Sequence, residues 1–563
     1  MNRGEEMFQK IKEKKFTLIR STVIIVLLWV LIGYILVPAL RTISLSLMGE
    51  EGVTLHYYKE FFSIEANVVA LKNTLILGFS TVLVCGILGT LLAFLMSYFN
   101  FPFKNIVSKL LLTPVMVPGI IIVIAFIQLY GESGLITKSI EILFNLEKIP
   151  FRFTGFWGIL FVHAYTQYVY FFMNVSVAIK HIDYSAIEAA KNLGAGKIKI
   201  FTTIILPFIK PALIASSIIT FITGIGSFSA PSLVGDRFKV LTTQMLFAKS
   251  NNHMEIASVQ VVLLTTAALV FLLLCRYYEK KSTFQSPIKG TPMVARDIQN
   301  PIIKGIFIIL SSILILFILL PVITIFILSF VTPGTWLVEI FPKDFSLANY
   351  TKIFTKSRSL APFMNSINMS IIAAGIGIVV AVPCSYIIVK TKSRFRVIIE
   401  ILAMLPWAIP ASSIAVNLIN AFNKPNIFAF NNALVGKYII LPIAYFIGIL
   451  PLLLRSINIS MYNLNDTYEE ASKSLGASWV YTFRKVTIPI IMPGILSGLV
   501  LGFIRCIGEY TSSAYLYTVT NKPISIAMVN GVFEYEIGLA MAYGVLVIVV
   551  TVVLTALINL IKK

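Results

Sequence analysis

The chain has 563 residues, of which 57% are hydrophobic and only 13% are charged, and its mean hydropathy is +0.88. This composition argues against a soluble domain, and repeated apolar runs of about twenty residues indicate a polytopic helical membrane protein. The net charge of +21 does not indicate a nucleic-acid partner, because basic cytoplasmic loops explain it more simply and no basic surface interleaved with aromatic residues is found.

Twelve apolar spans are predicted, six in each half of the chain. Those of the first half lie at about 18–40, 71–98, 107–130, 155–178, 211–230 and 257–276. Those of the second half lie at about 304–330, 364–389, 398–421, 437–455, 493–513 and 539–561. The first run is too long for a signal-peptide core and has no clear cleavage site, so we expect it to remain as a span.

Lysine and arginine are concentrated on one set of loops, whereas the opposite set is poorer in them although its loops are longer. The basic set includes the Lys-rich N-terminus, the stretches 180–210 and 276–304, and the C-terminal Lys562 and Lys563. By the positive-inside rule this side is cytoplasmic, and both termini lie on it.

Two polar segments interrupt the spans on that side, at matching places in the two halves. They read EAAKNLGAGKIKIFTTIILP over 188–207, here the first elbow, and EASKSLGASWVYTFRKVTIP over 470–489, here the second elbow. Each predicts a short helix, a break at Gly194 or Gly476 in the left-handed conformation, and a second helix. A proline then resets the backbone before the membrane. Such a shape suits the groove of another protein; the alternative is an amphipathic loop lying on the lipid surface.

The repetition extends beyond the elbows and predicts two parallel six-span repeats. Pro114 and Pro118 match Pro406 and Pro410 at an offset of 292 residues, whereas positions from the elbows onward match at 282. Each proline pair either bends a span that lines a gate or marks a loop edge. Parallel repeats imply pseudo-twofold symmetry about the membrane normal with a central pathway. The predicted domains are a first repeat over 1–280, a cytoplasmic linker over 281–303 and a second repeat over 304–563.

Ionisable residues are nearly absent from the predicted spans. The deepest are Arg505 and Glu509, four residues apart on one predicted helix, and the first half has only Thr223 and Ser227 at the matching positions. They are either a pair that neutralises itself at a helix end or part of a pathway. The candidate translocation path consists of four residues: Ser227, Arg505, Glu509 and the adjacent Tyr510.

No motif indicates an enzyme, a cofactor or a metal site. Neither Gly196-Lys197 nor Gly436-Lys437 has the flanking residues of a nucleotide-binding loop. The four cysteines lack metal-ligand spacing and are expected to pack without disulfides. His163 falls within a span, where a packed, hydrogen-bonded histidine is expected. Energy for transport must therefore come from a separate subunit.

The elbows resemble the coupling motif in the membrane subunits of binding-protein-dependent ABC importers. The second elbow departs from that motif only mildly, at Ser472 and Ile488. The resemblance implies an all-α type I importer permease in a bacterial inner membrane, with a cleft on each of two ABC ATPase subunits receiving one elbow. It also implies an extracytoplasmic solute-binding protein. The implied ATPase-coupling residues are Glu188, Ala189, Ala190, Gly194, Pro207, Glu470, Ala471, Gly476 and Pro489.

Fused two-repeat permeases of this size are similar to iron(III) importers. The short sequences FSAP at 228–231 and LTTQ at 241–244 most resemble those of the iron(III) and aminoethylphosphonate importers. Iron(III) is the expected solute, with aminoethylphosphonate, thiamine or polyamine as alternatives. A gradient-driven secondary transporter is the rival class, and a channel or scaffold is a third.

Overall fold

The computed structural model describes residues 21–49, 52–149, 151–280, 295–335 and 341–561. Over these ranges the chain is predominantly helical, which confirms the predicted all-α class. Two pairs of very short strands accompany the helices: Met48–Gly49 antiparallel to Gly52–Val53, and Phe99–Asn100 parallel to Arg296–Asp297. Both predicted cytoplasmic termini and most of the predicted linker (281–294) lie outside the described residues.

Ten of the described helices are long and apolar enough to cross a membrane, which confirms the polytopic class. They are Ser21–Leu47, Glu65–Tyr98, Gly119–Leu143, Lys197–Ile225, Met254–Glu279, Pro301–Ser329, Ser357–Lys390, Ile440–Tyr462, Trp479–Ile507 and Ile537–Ile558. An eleventh span is obtained if one sharply bent pair, Arg396–Trp407 with Ala411–Phe422, counts as a single crossing. The sequence predicted twelve.

The missing span is the helix Gly155–Lys180, which is long enough but not apolar enough to be counted. It carries His163 and Gln167, both buried. Neighbouring helices approach it very closely: a Cβ on Gly89 would come within 2.4 Å of the Tyr168 carbonyl oxygen. Because about half of its residues are buried against protein, its polar side chains can be satisfied within the bundle, and its sequence need not be as apolar as that of a fully lipid-facing span.

Shorter helices connect the spans, and wide π-helical turns occur inside three of the spans. The shorter helices are His56–Ser63, Lys104–Leu110, Thr113–Met116, Tyr184–Asn192, Ser229–Val234, Leu241–Ser250, Ala348–Thr355, Asp466–Ser474, Thr511–Leu516 and Ile524–Phe533. The π-helical turns are Ile32–Leu36, Phe201–Ile205 and Phe483–Thr487.

The matched prolines break the helices in both halves, as the sequence predicted. In the second half the chain turns by 113° between Arg396–Trp407 and Ala411–Phe422, and Pro410 stands immediately before the latter helix. In the first half Pro118 has the same place before the helix that begins at Gly119. Proline has no N–H to continue a helix and is well suited to the position just ahead of a new one.

The described residues form two compact units. Unit N consists of His56–Leu360 and Ile526–Ile548, and unit C consists of the described residues up to Leu55, Ala361–Ser525, and those from Val549 onward. This division differs from that of the sequence repeats. The first span of the first half belongs to unit C, which is built mostly from the second half, and the first span of the second half belongs to unit N. The division of the sequence at 281–303 therefore stays a prediction.

Hydrogen bonds hold each exchanged first span within its unit. In unit C, the Asn420 side-chain amide donates to Thr42 Oγ1 at 3.0 Å. In unit N, the Tyr165 hydroxyl donates to the carbonyl oxygen of Ile318 at 2.7 Å. All four residues are buried, so each bond satisfies polar atoms that lipid or apolar packing would leave unpaired.

Candidate functional site

The first elbow forms a helix, a break and a second helix, as its sequence predicted. The helix Tyr184–Asn192 ends just before Gly194, whose φ is +79°. The Gly194 N–H donates to the Lys191 carbonyl and the Ala195 N–H to that of Ala190, both at 2.9 Å. This pair of bonds closes the helix end and requires a left-handed residue, which glycine adopts without a steric penalty.

The second elbow repeats this geometry. The helix Asp466–Ser474 precedes Gly476, whose φ is +81°. The Gly476 N–H donates to Lys473 at 2.9 Å and the Ala477 N–H to Ser472 at 3.1 Å. The two elbows therefore have the same backbone, although their sequences differ at many positions.

Polar side chains begin both elbow helices. The Asp183 carboxylate accepts a hydrogen bond from the Ser185 N–H at 3.0 Å, and the Asn465 side-chain oxygen accepts one from the Thr467 N–H at 3.1 Å. These caps satisfy N–H groups that have no partner within the helix. Each short helix is thus capped at its start and closed by glycine at its end.

The tip of each elbow presents an exposed leucine beside an exposed glutamate. Leu193 is 87% exposed and Leu475 is 89% exposed, and Glu188 and Glu470 are exposed as well. One exposed apolar side chain is ordinary on a protein surface, but Leu193 and Leu475 occupy matching places on two matching turns, which favours a docking role. Of the other predicted coupling residues, Ala189, Gly194, Ala471, Gly476 and Pro489 are exposed, while Ala190 and Pro207 are half-buried.

One local expectation about the elbows was wrong, because the prolines do not separate the elbow from the span. The helix runs unbroken over Lys197–Ile225 and contains Pro207. Just ahead of the proline, the Leu206 N–H donates to Phe201 in a wide π-helical turn, which loosens the backbone where proline cannot donate. The second elbow has the same arrangement at Pro489, within Trp479–Ile507. Each elbow is therefore directly continuous with a membrane-spanning helix.

Apolar contacts hold the first elbow to unit N. Ile187 and Ile200 are each 5% exposed and belong to one continuous hydrophobic core. The Phe201 ring lies 6.1 Å from that of Phe94, on the long helix Glu65–Tyr98. This attachment is non-directional and follows buried apolar area.

Polar contacts order the second elbow, one between its own two helical arms and one to the rest of unit C. The Thr487 hydroxyl donates to the buried Glu469 carboxylate at 2.7 Å. The Trp479 indole N–H donates to the Tyr386 hydroxyl at 2.9 Å. Such bonds fix orientation, and an unpaired buried partner would cost about 1–3 kcal/mol.

An ion pair adds to the attachment of the second elbow. The Lys390 ammonium donates to the Asp466 carboxylate and to the carbonyl oxygen of Leu464. The pKa of Asp466 lies below its usual value, chiefly because Lys390 donates a hydrogen bond to the carboxylate and secondly because the Lys390 charge is positive. The contact is thus fully present at neutral pH and is lost as the pH falls through that lowered pKa.

Sequence analysis missed these polar contacts, although a signal for them was present. At the offset of 282, Glu469 replaces Ile187 and Trp479 replaces Lys197. A comparison of the two elbows position by position would have shown a carboxylate in place of the buried Ile187 and an aromatic residue in place of the exposed Lys197. It would not have identified Thr487 or Tyr386 as the partners, because those contacts depend on packing.

Ser227, the first-half candidate for the translocation path, is engaged in a buried network in unit N. Its hydroxyl lies 2.9 Å from His163 Nε2, and His163 Nδ1 lies 2.9 Å from Thr81 Oγ1. The Thr242 hydroxyl donates to the Ser227 carbonyl at 2.7 Å. The prediction of a packed, hydrogen-bonded His163 is confirmed.

Arg505 and Glu509 do not form the predicted pair on one helix. The span ends at Ile507, and Gly508 turns the chain before Glu509. One Glu509 carboxylate oxygen instead accepts the N–H of Ser512 at 2.9 Å. No ion pair joins these two described side chains, since the helix ends at Ile507, six residues before the predicted end of the span.

A small cavity in unit C brings the second-half candidates together. Arg505, Glu509, Ser512 and Tyr445 line it with several apolar residues, and its volume is about 30 Å³. That space is enough for about two waters. Tyr510, the fourth candidate, is buried at 8% exposure and does not line the cavity.

Comparison with known proteins identifies the family. The model of the binding-protein-dependent transport system inner membrane component matches twice, over residues 86–282 and 373–563. These two matches confirm the internal repeat. Together they cover more than half of the chain, one in each half.

Curated relatives agree with that family. The chain is 31% identical over 512 residues to a probable ABC transporter permease protein, y4fN, of Sinorhizobium fredii, covering 90% of both chains. It is 27% identical to a ferric transport system permease protein of Actinobacillus pleuropneumoniae, over 78% of this chain and 63% of that protein. It is 25% identical to a putative 2-aminoethylphosphonate transport system permease protein of Salmonella typhi, over 40% of this chain and 80% of that protein. The chain belongs to the family of binding-protein-dependent ABC transport permeases, multi-pass inner membrane subunits that work with a separate ATPase.

Proposed function

We propose that this permease imports a solute by receiving mechanical work at its two elbows. Each elbow docks in the cleft of one ATPase subunit, so that two copies act on one chain. Glu188 and Glu470 make polar contacts to the ATPase, and Gly194 and Gly476 set the angle of docking. The proposal is supported chiefly by the two exposed, capped elbows, which share one backbone geometry and continue directly into spans.

The continuous helix from elbow to span provides the route for mechanical coupling. A helix transmits displacement along its axis because its hydrogen bonds are internal and axial. The first elbow continues into Lys197–Ile225 and the second into Trp479–Ile507. Movement of either elbow therefore moves the helix that ends beside the candidate path residues Ser227 or Arg505.

Iron(III) is the proposed solute, because the ferric permease of Actinobacillus pleuropneumoniae matches over 78% of this chain. Aminoethylphosphonate is the second candidate, since the Salmonella typhi relative matches over 40%. A solute-binding protein delivers the solute from the outer face, and the elbows and both termini are cytoplasmic, in agreement with the basic loops.

Charge reversal at both elbows tests the coupling. The double variant Glu188→Lys/Glu470→Lys should insert normally, yet uptake should fall at least tenfold while ATP hydrolysis persists. The measurement is uptake and ATP hydrolysis by the complete transporter, with its ATPase and binding protein, in proteoliposomes. Lys191→Glu is the matched control, since this exposed residue on the same short helix reverses charge outside the proposed contact set. Wild-type uptake by the double variant would contradict the proposal, and would favour a channel or scaffold.

A further inference from the structure

Arg505 is not directly bonded to any of the described residues. It lies in the last turn of Trp479–Ile507, is exposed, and makes no hydrogen bond, ion pair or ring contact with any residue that the structure describes. Two other basic side chains of unit C near spans are engaged: Lys390 pairs with Asp466, and Arg455 lies 5.4 Å from the centre of the Trp407 ring. The Arg505 guanidinium therefore retains its full donor capacity.

The neighbouring carboxylate of Glu509 makes no hydrogen bond or ion pair with Arg505. Glu509 is drawn beyond the end of the span by Gly508, where one of its oxygens accepts the Ser512 N–H. Its backbone carbonyl also accepts the hydroxyls of Ser513 and Ser525. Glu509 thus orders the short helix that follows, and the two charges share the cavity without a direct contact.

The matching place in the first half has no such group. Thr223 stands at the position of Arg505, and its hydroxyl donates to the Gln167 side-chain oxygen at 2.7 Å. At the position of Glu509, Ser227 is bonded to His163. Both first-half groups are neutral and already paired, so at these matched positions only the second half carries charge.

An unpaired guanidinium beside a small cavity selects for an oxyanion. Its planar fork matches the oxygens of a carboxylate, phosphonate or phosphate, and such charge-assisted hydrogen bonds are the strong ones. The cavity, about 30 Å³, has room for about two waters, so it can take two oxygens of such a group while the rest of the solute lies outside it. The same positive charge repels a bare ferric ion, whereas ferric iron carried by an anionic oxygen ligand presents an oxyanion group.

We propose that Arg505 receives an oxyanion group of the transported solute, either its own phosphonate or carboxylate, or that of the anion accompanying ferric iron. This rests on the proposed import function. The structural alternative is that Arg505 only complements the negative end of its helix.

Ligand binding to the purified chain in neutral lipid nanodiscs tests the site. Saturation-transfer NMR with methylphosphonate and with citrate reports weak binding, and dimethyl methylphosphonate is the neutral control. Arg505→Gln should weaken binding at least tenfold, because it removes a bidentate charge-assisted contact. Arg505→Lys, which keeps the charge at the helix end but loses the fork, should weaken it less.

Arg41→Gln is the matched control for non-specific attraction to a basic protein, since Arg41 is also exposed on a span and has no described partner. It should bind within twofold of wild type. Equal losses in the two glutamine variants, or no binding of either probe to wild type, would overturn the proposal. A lower melting temperature in Arg505→Gln that fully accounts for its weaker binding would also overturn it, in favour of the helix-end role.

Uptake by the complete transporter identifies the source of the oxyanion. Labelled aminoethylphosphonate entering alone indicates a phosphonate solute, whereas labelled citrate entering with radioactive iron indicates an accompanying anion. Radioactive iron that enters without citrate, at equal rates in wild type and Arg505→Gln, would contradict the proposed site. Loss of ATP dependence would instead contradict the import function, so the two failures are distinguishable.

Discussion

At the scale of single residues, the two elbows are attached by different chemistry. Ile187 packs in a hydrophobic core, whereas its counterpart Glu469 is a buried carboxylate that accepts a hydrogen bond from Thr487. Apolar contacts tolerate small shifts, but a buried hydrogen bond is lost over a few tenths of an ångström. We therefore expect the second elbow to respond more sharply to local substitutions than the first.

Thr487→Val tests this difference. It keeps the shape but removes the donor to Glu469, which should destabilise the second elbow by about 1–3 kcal/mol. Hydrogen exchange of the helix Asp466–Ser474 should accelerate accordingly. Ile205→Val, at the matching position of the first elbow, is the control, and exchange of Tyr184–Asn192 should change little. Unchanged exchange in Thr487→Val would show that the hydrogen bond does not hold the elbow.

At the scale of elements, the elbow backbone depends on its left-handed glycines. Gly194→Ala and Gly476→Ala force a β-carbon into positive φ, at a cost of roughly 1–2 kcal/mol each. Asparagine, which adopts this conformation more readily, should be tolerated better. Gly196→Ala is the control, because its φ is −68° and no atom lies within 4 Å of the added carbon. The measurement is the ratio of uptake to ATP hydrolysis, which should fall for the alanine variants at Gly194 and Gly476 only; equal effects at all three would contradict the account.

Local helix-end chemistry is the part of these elements that sequence predicts well. The spacing of glutamate and glycine in the elbows predicted a capped helix and a turn, both of which form because the responsible atoms are within a few residues of one another. The prolines were less informative. The chain bends by 113° at Pro410, whereas the helix continues through Pro207. A π-helical turn just ahead of Pro207 accommodates the missing backbone donor.

Contacts between distant residues could not be read from the sequence. The Trp479–Tyr386 bond joins positions 93 residues apart, and the His163–Ser227 bond joins positions 64 apart. Periodicity carries no information about such pairs. The helix end at Gly508 was also not foreseen. Because Glu509 lies beyond it, Arg505 and Glu509 lack the i, i+4 relation on which pairing along one helix depended.

At the scale of the whole molecule, composition predicted the class and repetition predicted the family architecture. The predicted twelfth span corresponds to the helix Gly155–Lys180, which is long enough to cross a membrane but less apolar than the ten counted spans, because about half of its residues pack against protein. The exchange of first spans between units N and C was not foreseen, since the order of spans along the chain does not specify which bundle each one joins.

The central claim is that a separate motor drives this chain through its elbows. Uptake into proteoliposomes containing the chain, measured with and without the ATPase while the binding protein and a fixed ion gradient are present, tests it most directly. The account predicts uptake only when the ATPase and ATP are both present, and no uptake from the gradient alone. Solute accumulation by the chain without its ATPase would contradict it and establish a gradient-driven transporter.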